Sequence, residues 1–155
     1  MTSNEEAGPK LFRLVDANLN RLKEGIRVIE DINRYLYDDK SVASHLKHLR
    51  HLATIDNYLE ILPHRDIQND VLKQSTETEL RREDLPGILL ANYKRAQEAA
   101  RVLEEAFKLI DVEKSEDFKT IRYELYALEK ENLVTGSDAS RHNSGIGNRE
   151  SGIED

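Results

Sequence analysis

The chain reads as an all-α protein, a four-helix bundle made of two helical-hairpin repeats related by a pseudo-twofold. Three observations predict it. Residues 17–31, ANLNRLKEGIRVIED, return as residues 91–105, ANYKRAQEAARVLEE, with Asn18/Asn92, Arg21/Arg95, Glu24/Glu98, Arg27/Arg101 and Glu30/Glu104 in register. A second echo, Leu46-Lys47-His48-Leu49-Arg50 against Phe118-Lys119-Thr120-Ile121-Arg122, follows at nearly the same offset. Apolar residues in and around these stretches recur at helical spacing. The duplicated unit is therefore two helices long, and two such units close most simply as a bundle.

Taken in order, residues 1–10 are polar and form a flexible N-terminus, and a helical domain spans residues 11–133. Repeat one covers 11–62. Its first helix is predicted over 11–37, with Leu14, Leu22, Gly25, Ile29, Ile32 and Leu36 within about a third of a turn at 100° per residue. Asn18 falls at the centre of that stripe, with Arg21, Glu24, Val28 and Asp31 on its flank. Asp38-Asp39-Lys40 is a turn, Ser41 a helix cap, and a second helix runs over 42–62 to Pro63. A connecting loop spans 63–85. Repeat two covers 86–133, with a helix opened by Asp84 or Pro86 and reaching residue 110, a turn at 111–115, and a helix over 116–131. Residues 134–155, rich in Ser, Gly and charge, are predicted to be a disordered tail.

Composition narrows the function. There is no Cys, so neither a disulfide nor a thiolate metal site is available. A net charge of −7 argues against broad nucleic-acid binding. No apolar run approaches the 18 residues of a membrane span, and the first ten residues lack the pattern of a signal peptide. A cytoplasmic location is expected. His45, His48 and His51 lie at i, i+3 spacing but without an HExxH motif, and Gly145-Ile146-Gly147 follows no strand, so neither a zinc site nor a phosphate loop is expected.

The repeated charges carry the chemistry. Guanidiniums and carboxylates on two facing helices suit a Mg²⁺-assisted phosphate site, in which Arg forks grip phosphate oxygens and a few carboxylates hold a hydrated ion. The same spacing equally makes a ladder of surface ion pairs. A buried Asn needs a partner, because an unpaired amide costs roughly 1–3 kcal/mol. Asn18 and Asn92 therefore bond either backbone or one another, or they line a polar cavity. The loop over 63–85 either covers a ligand or is a solvated linker between repeats.

The strings DANLNRLKEGIRVIED, HRDIQNDV, LLANYKRAQEAARVLEE and FKTIRYELYALEK, in this order, resemble the helical hydroxymethylpyrimidine phosphate kinase family, a domain often fused ahead of thiamine phosphate synthase. The resemblance covers residues 11–130, and no (β/α)₈ barrel follows, so synthase activity is not expected. It implies that ATP phosphorylates 4-amino-5-hydroxymethyl-2-methylpyrimidine phosphate to the diphosphate, with ATP and Mg²⁺ required. It implies Arg21, Glu24, Arg95 and Glu98 as catalytic residues, with Glu24, Asp31, Glu98 and Glu105 placing the Mg²⁺. Arg50, Arg122, Asn18 and Asn92 would bind or orient substrate, and Arg65, Asp66 and Asp70 would close over it. In the family the segment after Arg65-Asp66 is often richer in glycine, whereas here Val71 and Leu72 follow Asp70. Expected partners are the two small molecules, with a homodimer and a thiamine phosphate synthase as further candidates. The alternative is a non-catalytic helical module that dimerises or regulates such a synthase.

Overall fold

A computed structural model describes residues 3–75 and 81–135. These form five α-helices and no strand: α1 (Ser3–Asp31), α2 (Lys40–Leu52), α3 (Tyr58–Ile61), α4 (Leu85–Phe107) and α5 (Val112–Lys130). Single π-helical turns follow α1 (Ile32–Leu36) and α5 (Glu131–Thr135), and α3 continues into a 3-10 turn (Leu62–His64). α1 packs along α4, α2 flanks α1 and α5 flanks α4, while α2 and α5 touch more lightly. Four long helices thus make the bundle and α3 is an addition. The polar tail lies outside the described residues except for Val134 and Thr135, which close the last turn.

The helices differ from expectation mainly at their ends. α1 begins at Ser3, eight residues ahead of the predicted start, and carries Pro9 inside it. The sequence of residues 3–10, SNEEAGPK, has no apolar stripe, so the periodicity that marks a helix is absent there. Asp39, not Ser41, caps α2, its Oδ1 accepting from Val42 N at 3.1 Å. Asp38 stands before it at φ 52°, a left-handed conformation that Asp tolerates better than most residues. The helix predicted over 42–62 is broken after Leu52. Thr54, Asp56 and Asn57 compete for backbone hydrogen bonds and favour a turn, and Lys114 Nζ donates to the freed Leu52 carbonyl at 2.8 Å. The cap of α4 is Asp84, as expected, accepting from Gly87 N at 2.8 Å. Asp111, expected in a turn, caps α5 and starts it earlier than predicted.

The buried face of α1 is rotated from the predicted stripe. Val15, Leu19, Leu22, Ile26 and Ile29 are buried, while Leu14 and Leu36 are 41% and 44% exposed. They meet Leu89, Tyr93, Ala96 and Leu103 of α4 and Phe118, Ile121, Leu125 and Leu128 of α5 in one core, each large aliphatic side chain contributing about 1.5–3 kcal/mol. Both π turns insert a polar residue into this core. Asn33 and Asn132 exchange amide hydrogen bonds at 2.8 and 2.9 Å, and Tyr93 OH donates to Asn132 Oδ1 at 2.9 Å. The extra residue in each wide turn aims these amides inward, where they bond one another, Tyr93 and the Ile29 carbonyl.

Candidate functional site

α1 and α4 approach closely at Gly25. A Cβ there would lie 3.3 Å from both Ala96 Cβ and the Asn92 carbonyl. The absent side chain brings the backbones together, and the charged flanks of both helices come with them. Two clefts open on this side, of about 730 and 670 Å³. They share a wall made by Arg21, Ile67, Asp70 and Arg95. Glu24 lines the first cleft and Glu98, with Asn18, the second. Lys10 and Arg13 add positive charge to the first; Lys73 and Arg82 add it to the second. Arg21, Arg95, Glu24 and Glu98 make no ion pair among the described residues. Four expected site residues, related by the internal echo, therefore converge with their charges unspent on one another.

The outer wall of the clefts is a strap, residues 65–75, tacked down onto α1. Arg65 donates from Nε and Nη2 to the two carboxylate oxygens of Asp16, both at 2.8 Å, and from Nη2 to Tyr58 OH at 2.9 Å. The bond to Asp16 raises the pKa of Arg65 further above its ordinary value. Arg13 Nη2 donates to the Asp66 carbonyl at 3.0 Å. The Asp66 carboxylate accepts from the side chain and backbone N–H of Asn69 at 2.8 and 3.1 Å, which holds its pKa below the usual carboxylate range. Asp70 Oδ1 accepts from Leu72 N at 2.9 Å. Arg65 and Asp66 thus line the first cleft while their polar atoms are largely used in fastening the strap.

The remaining expected residues lie elsewhere. Arg50 and Arg122 line neither cleft. Arg50 grips the buried Glu30 at 2.8 and 3.2 Å, and Arg122 grips the buried Glu104 at 3.0 and 2.9 Å. The bond to Glu30 raises the pKa of Arg50; burial works against Arg122, yet its bond to Glu104 raises it as well. Asp31 and Glu105 are exposed on the helix surface, Asp31 paired to Arg27 at 3.2 Å and Glu105 to Arg101 at 3.4 Å and Lys108 at 2.8 Å. These charges form the surface pairs that their spacing also allows. Asn18 and Asn92 each donate back along their own helix, to the Leu14 and Ile88 carbonyls at 3.0 and 2.9 Å. Asn18 reaches the second cleft nonetheless; Asn92 does not line either.

Asp16 was missed. Its carboxylate is 3% exposed, and the available signal was its place at the edge of the buried arc beside Leu19, where an ionised group needs a partner. No cluster of three or more His, Asp or Glu side chains suited to a metal occurs among the described residues. None of the described helices is long and apolar enough to cross a membrane.

Comparison with known proteins places this geometry in a lineage. The model of the ThiD2 family matches residues 13–131. The chain belongs to the ThiD2 family. The match takes in every residue named above as lining the two clefts of this ThiD2-family chain except Lys10. Similar curated proteins include the thiamine-phosphate synthase of Thermosynechococcus vestitus, 40% identical over 79% of this chain and 35% of that protein. That of Synechocystis sp. is 39% identical over 81% and 37%. That of Rhodopirellula baltica is 35% identical over 78% and 34%. The ThiD2-family chain thus spans about a third of the length of these relatives. No solved structure matches it.

Proposed function

We propose that this ThiD2-family protein is a thiamine-biosynthesis kinase that converts 4-amino-5-hydroxymethyl-2-methylpyrimidine phosphate to the diphosphate with ATP. One observation carries the reading. Arg21 and Arg95, without ion partners among the described residues, stand on the wall common to two clefts. Two phosphorylated molecules, one per cleft, would meet across that wall. Family membership and relatives named thiamine-phosphate synthase support a place in thiamine biosynthesis.

In the reaction, a phosphate oxygen of the pyrimidine monophosphate attacks the γ-phosphorus of ATP. A new P–O–P linkage forms, the bond from the γ-phosphorus to its bridging oxygen breaks, and ADP leaves with that electron pair. The attacking oxygen is already largely anionic, since a phosphate monoester has its second pKa at about 6, so no general base is needed. The work left to the chain is alignment and neutralisation of negative charge. Arg21 and Arg95 would do both, because a guanidinium fork fixes two phosphate oxygens at once. Glu24 and Glu98 fit a Mg²⁺ ion shared with substrate phosphates better than one caged by protein alone, since no acidic cluster is assembled among the described residues. Such an ion, when bound, supplies further neutralisation of phosphate charge.

The test is an assay of purified protein with Mg²⁺, ATP and the pyrimidine monophosphate, following ADP and diphosphate together. Stoichiometric formation of both is expected, with the free hydroxymethylpyrimidine left unphosphorylated. Absence of product from the monophosphate, or efficient phosphorylation of the alcohol, contradicts the reading.

A further inference from the structure

We propose that Asp16 is a positioning residue: through its fork with Arg65 it sets the strap so that Asp70 and Ile67 face Arg21 and Arg95. The inference rests on the reading of the clefts given above. Its geometry stands independently. Asp16 is buried on α1, and its carboxylate takes both Arg65 nitrogens at 2.8 Å. Asn20 Nδ2 donates to Asp16 Oδ1 at 3.3 Å and to its carbonyl at 3.0 Å, steadying the acceptor. Five residues beyond the anchor, Asp70 reaches both clefts. With one oxygen taken by Leu72 N, its carboxylate can still face a bound ligand.

The energetic case is one of contrast. Val71 and Leu72 are 93% and 85% exposed and Ile67 is 70% exposed. The strap therefore gains little from apolar burial, and what fixes it is polar. A charge-assisted bidentate pair is the strongest such bond available and also the most directional. The internal echo breaks at this point as well. The residue of α4 that corresponds to Asp16 is Leu90, which is 46% exposed. Among the described residues, an aspartate anchor is present on α1 and not at its α4 counterpart, on the side from which the strap crosses both clefts.

Three variants test this: Asp16→Asn/Arg65→Gln, Asp70→Asn, and the triple combination. The paired neutral substitution leaves no buried ion without a partner. Two readouts need no turnover: tryptic cleavage after Lys73, and the Kd for magnesium pyrophosphate. For Asp16→Asn/Arg65→Gln, both cleavage rate and Kd are expected to rise about tenfold, the scale set by losing a charged hydrogen bond. Adding Asp70→Asn should raise Kd no further than Asp70→Asn alone, because Asp16 acts through that residue. In turnover, the change should fall on KM more than on kcat. Arg65→Lys keeps the charge at a side chain that is 36% exposed and loses the fork, so it reads the same quantities should the paired variant fold poorly. Unchanged cleavage and Kd, or effects of the anchor and Asp70 that simply add, overturn the proposal. Wild-type protein that fails to bind magnesium pyrophosphate overturns it together with the kinase reading. Wild-type protein that binds it and shows the coupling but does not turn over removes the kinase reading alone.

Discussion

Two sets of charges recur in this chain, and the structure treats them in opposite ways. Between the helices of each hairpin, Glu30 holds Arg50 through both carboxylate oxygens and Glu104 holds Arg122 through one, in bonds of 2.8–3.2 Å. On the facing flanks of α1 and α4, Arg21, Glu24, Arg95 and Glu98 hold no ionic partner among the described residues and line clefts instead. Recurrence by itself does not separate structure from function, because duplication copies both. What separates them is satisfaction. A charge whose partner is built into the fold is accounted for by folding; a charge left open over a cleft is available to a ligand.

The largest effect expected from this contrast is on the open set. Glu98→Gln should lower turnover of the pyrimidine monophosphate by roughly 10²–10³, the scale of one lost transition-state contact. Thermal melting should be unchanged. Initial rates and melting curves on the same preparation decide it. Next comes the paired set. Glu104→Ala removes a carboxylate that is 6% exposed and leaves Arg122 without its ionic partner. The loss should be about 2–3 kcal/mol, somewhat under the 3–5 of a fully buried pair because the guanidinium can rehydrate. Chemical denaturation measures it. A loss under about 0.5 kcal/mol, the level of an exposed pair, would erase the distinction.

Smaller effects sharpen the comparison. Arg27 and Asp31 are paired but 53% and 42% exposed, so Arg27→Ala should change stability by no more than about 0.5 kcal/mol. Denaturant midpoints test this, and rates should hold as well. The smallest effect is local and depends on pH. The folded pKa of Asp66 lies below its unfolded value because Asn69 bonds its carboxylate. Its contribution to holding the strap is therefore complete above the ordinary carboxylate range and is lost as pH falls through the lowered folded value. Exchange of the Asn69 amide hydrogen, normalised for intrinsic rate, should lose protection only on strong acidification. Loss of protection between neutral pH and the ordinary carboxylate range would contradict that order.

Much of the architecture could be read from the amino-acid order because it rests on short-range rules. Phe118, Ile121, Leu125 and Leu128 stand at helical spacing in the helix predicted over 116–131 and are all buried. Asp84 has the spacing of a cap and is one. The rest depends on competition between distant groups. The break after Leu52 uses Lys114 from another helix, and the inward Asn33 needs Asn132 to be tolerated. The close approach of α1 to α4 at Gly25, where a Cβ would lie 3.3 Å from Ala96 Cβ, likewise depends on a partner distant in sequence. The same limit applied to the clefts. Arg21 and Arg95 could be singled out by their flank and their echo. Arg50 and Arg122 echo equally well, and only the positions of Glu30 and Glu104 in space show that they are occupied.

The most direct test exchanges guanidinium for ammonium on both sides of the comparison. Arg95→Lys and Arg122→Lys keep the charge and lose the fork. Melting temperature and turnover of the pyrimidine monophosphate are measured for each. Arg95→Lys is predicted to melt with wild type and to lose most of its turnover. Arg122→Lys is predicted to melt lower and, well below its transition, to turn over near the wild-type rate. Wild-type turnover in Arg95→Lys, or normal melting with lost turnover in Arg122→Lys, would show that the open and the satisfied charges do not divide function from folding.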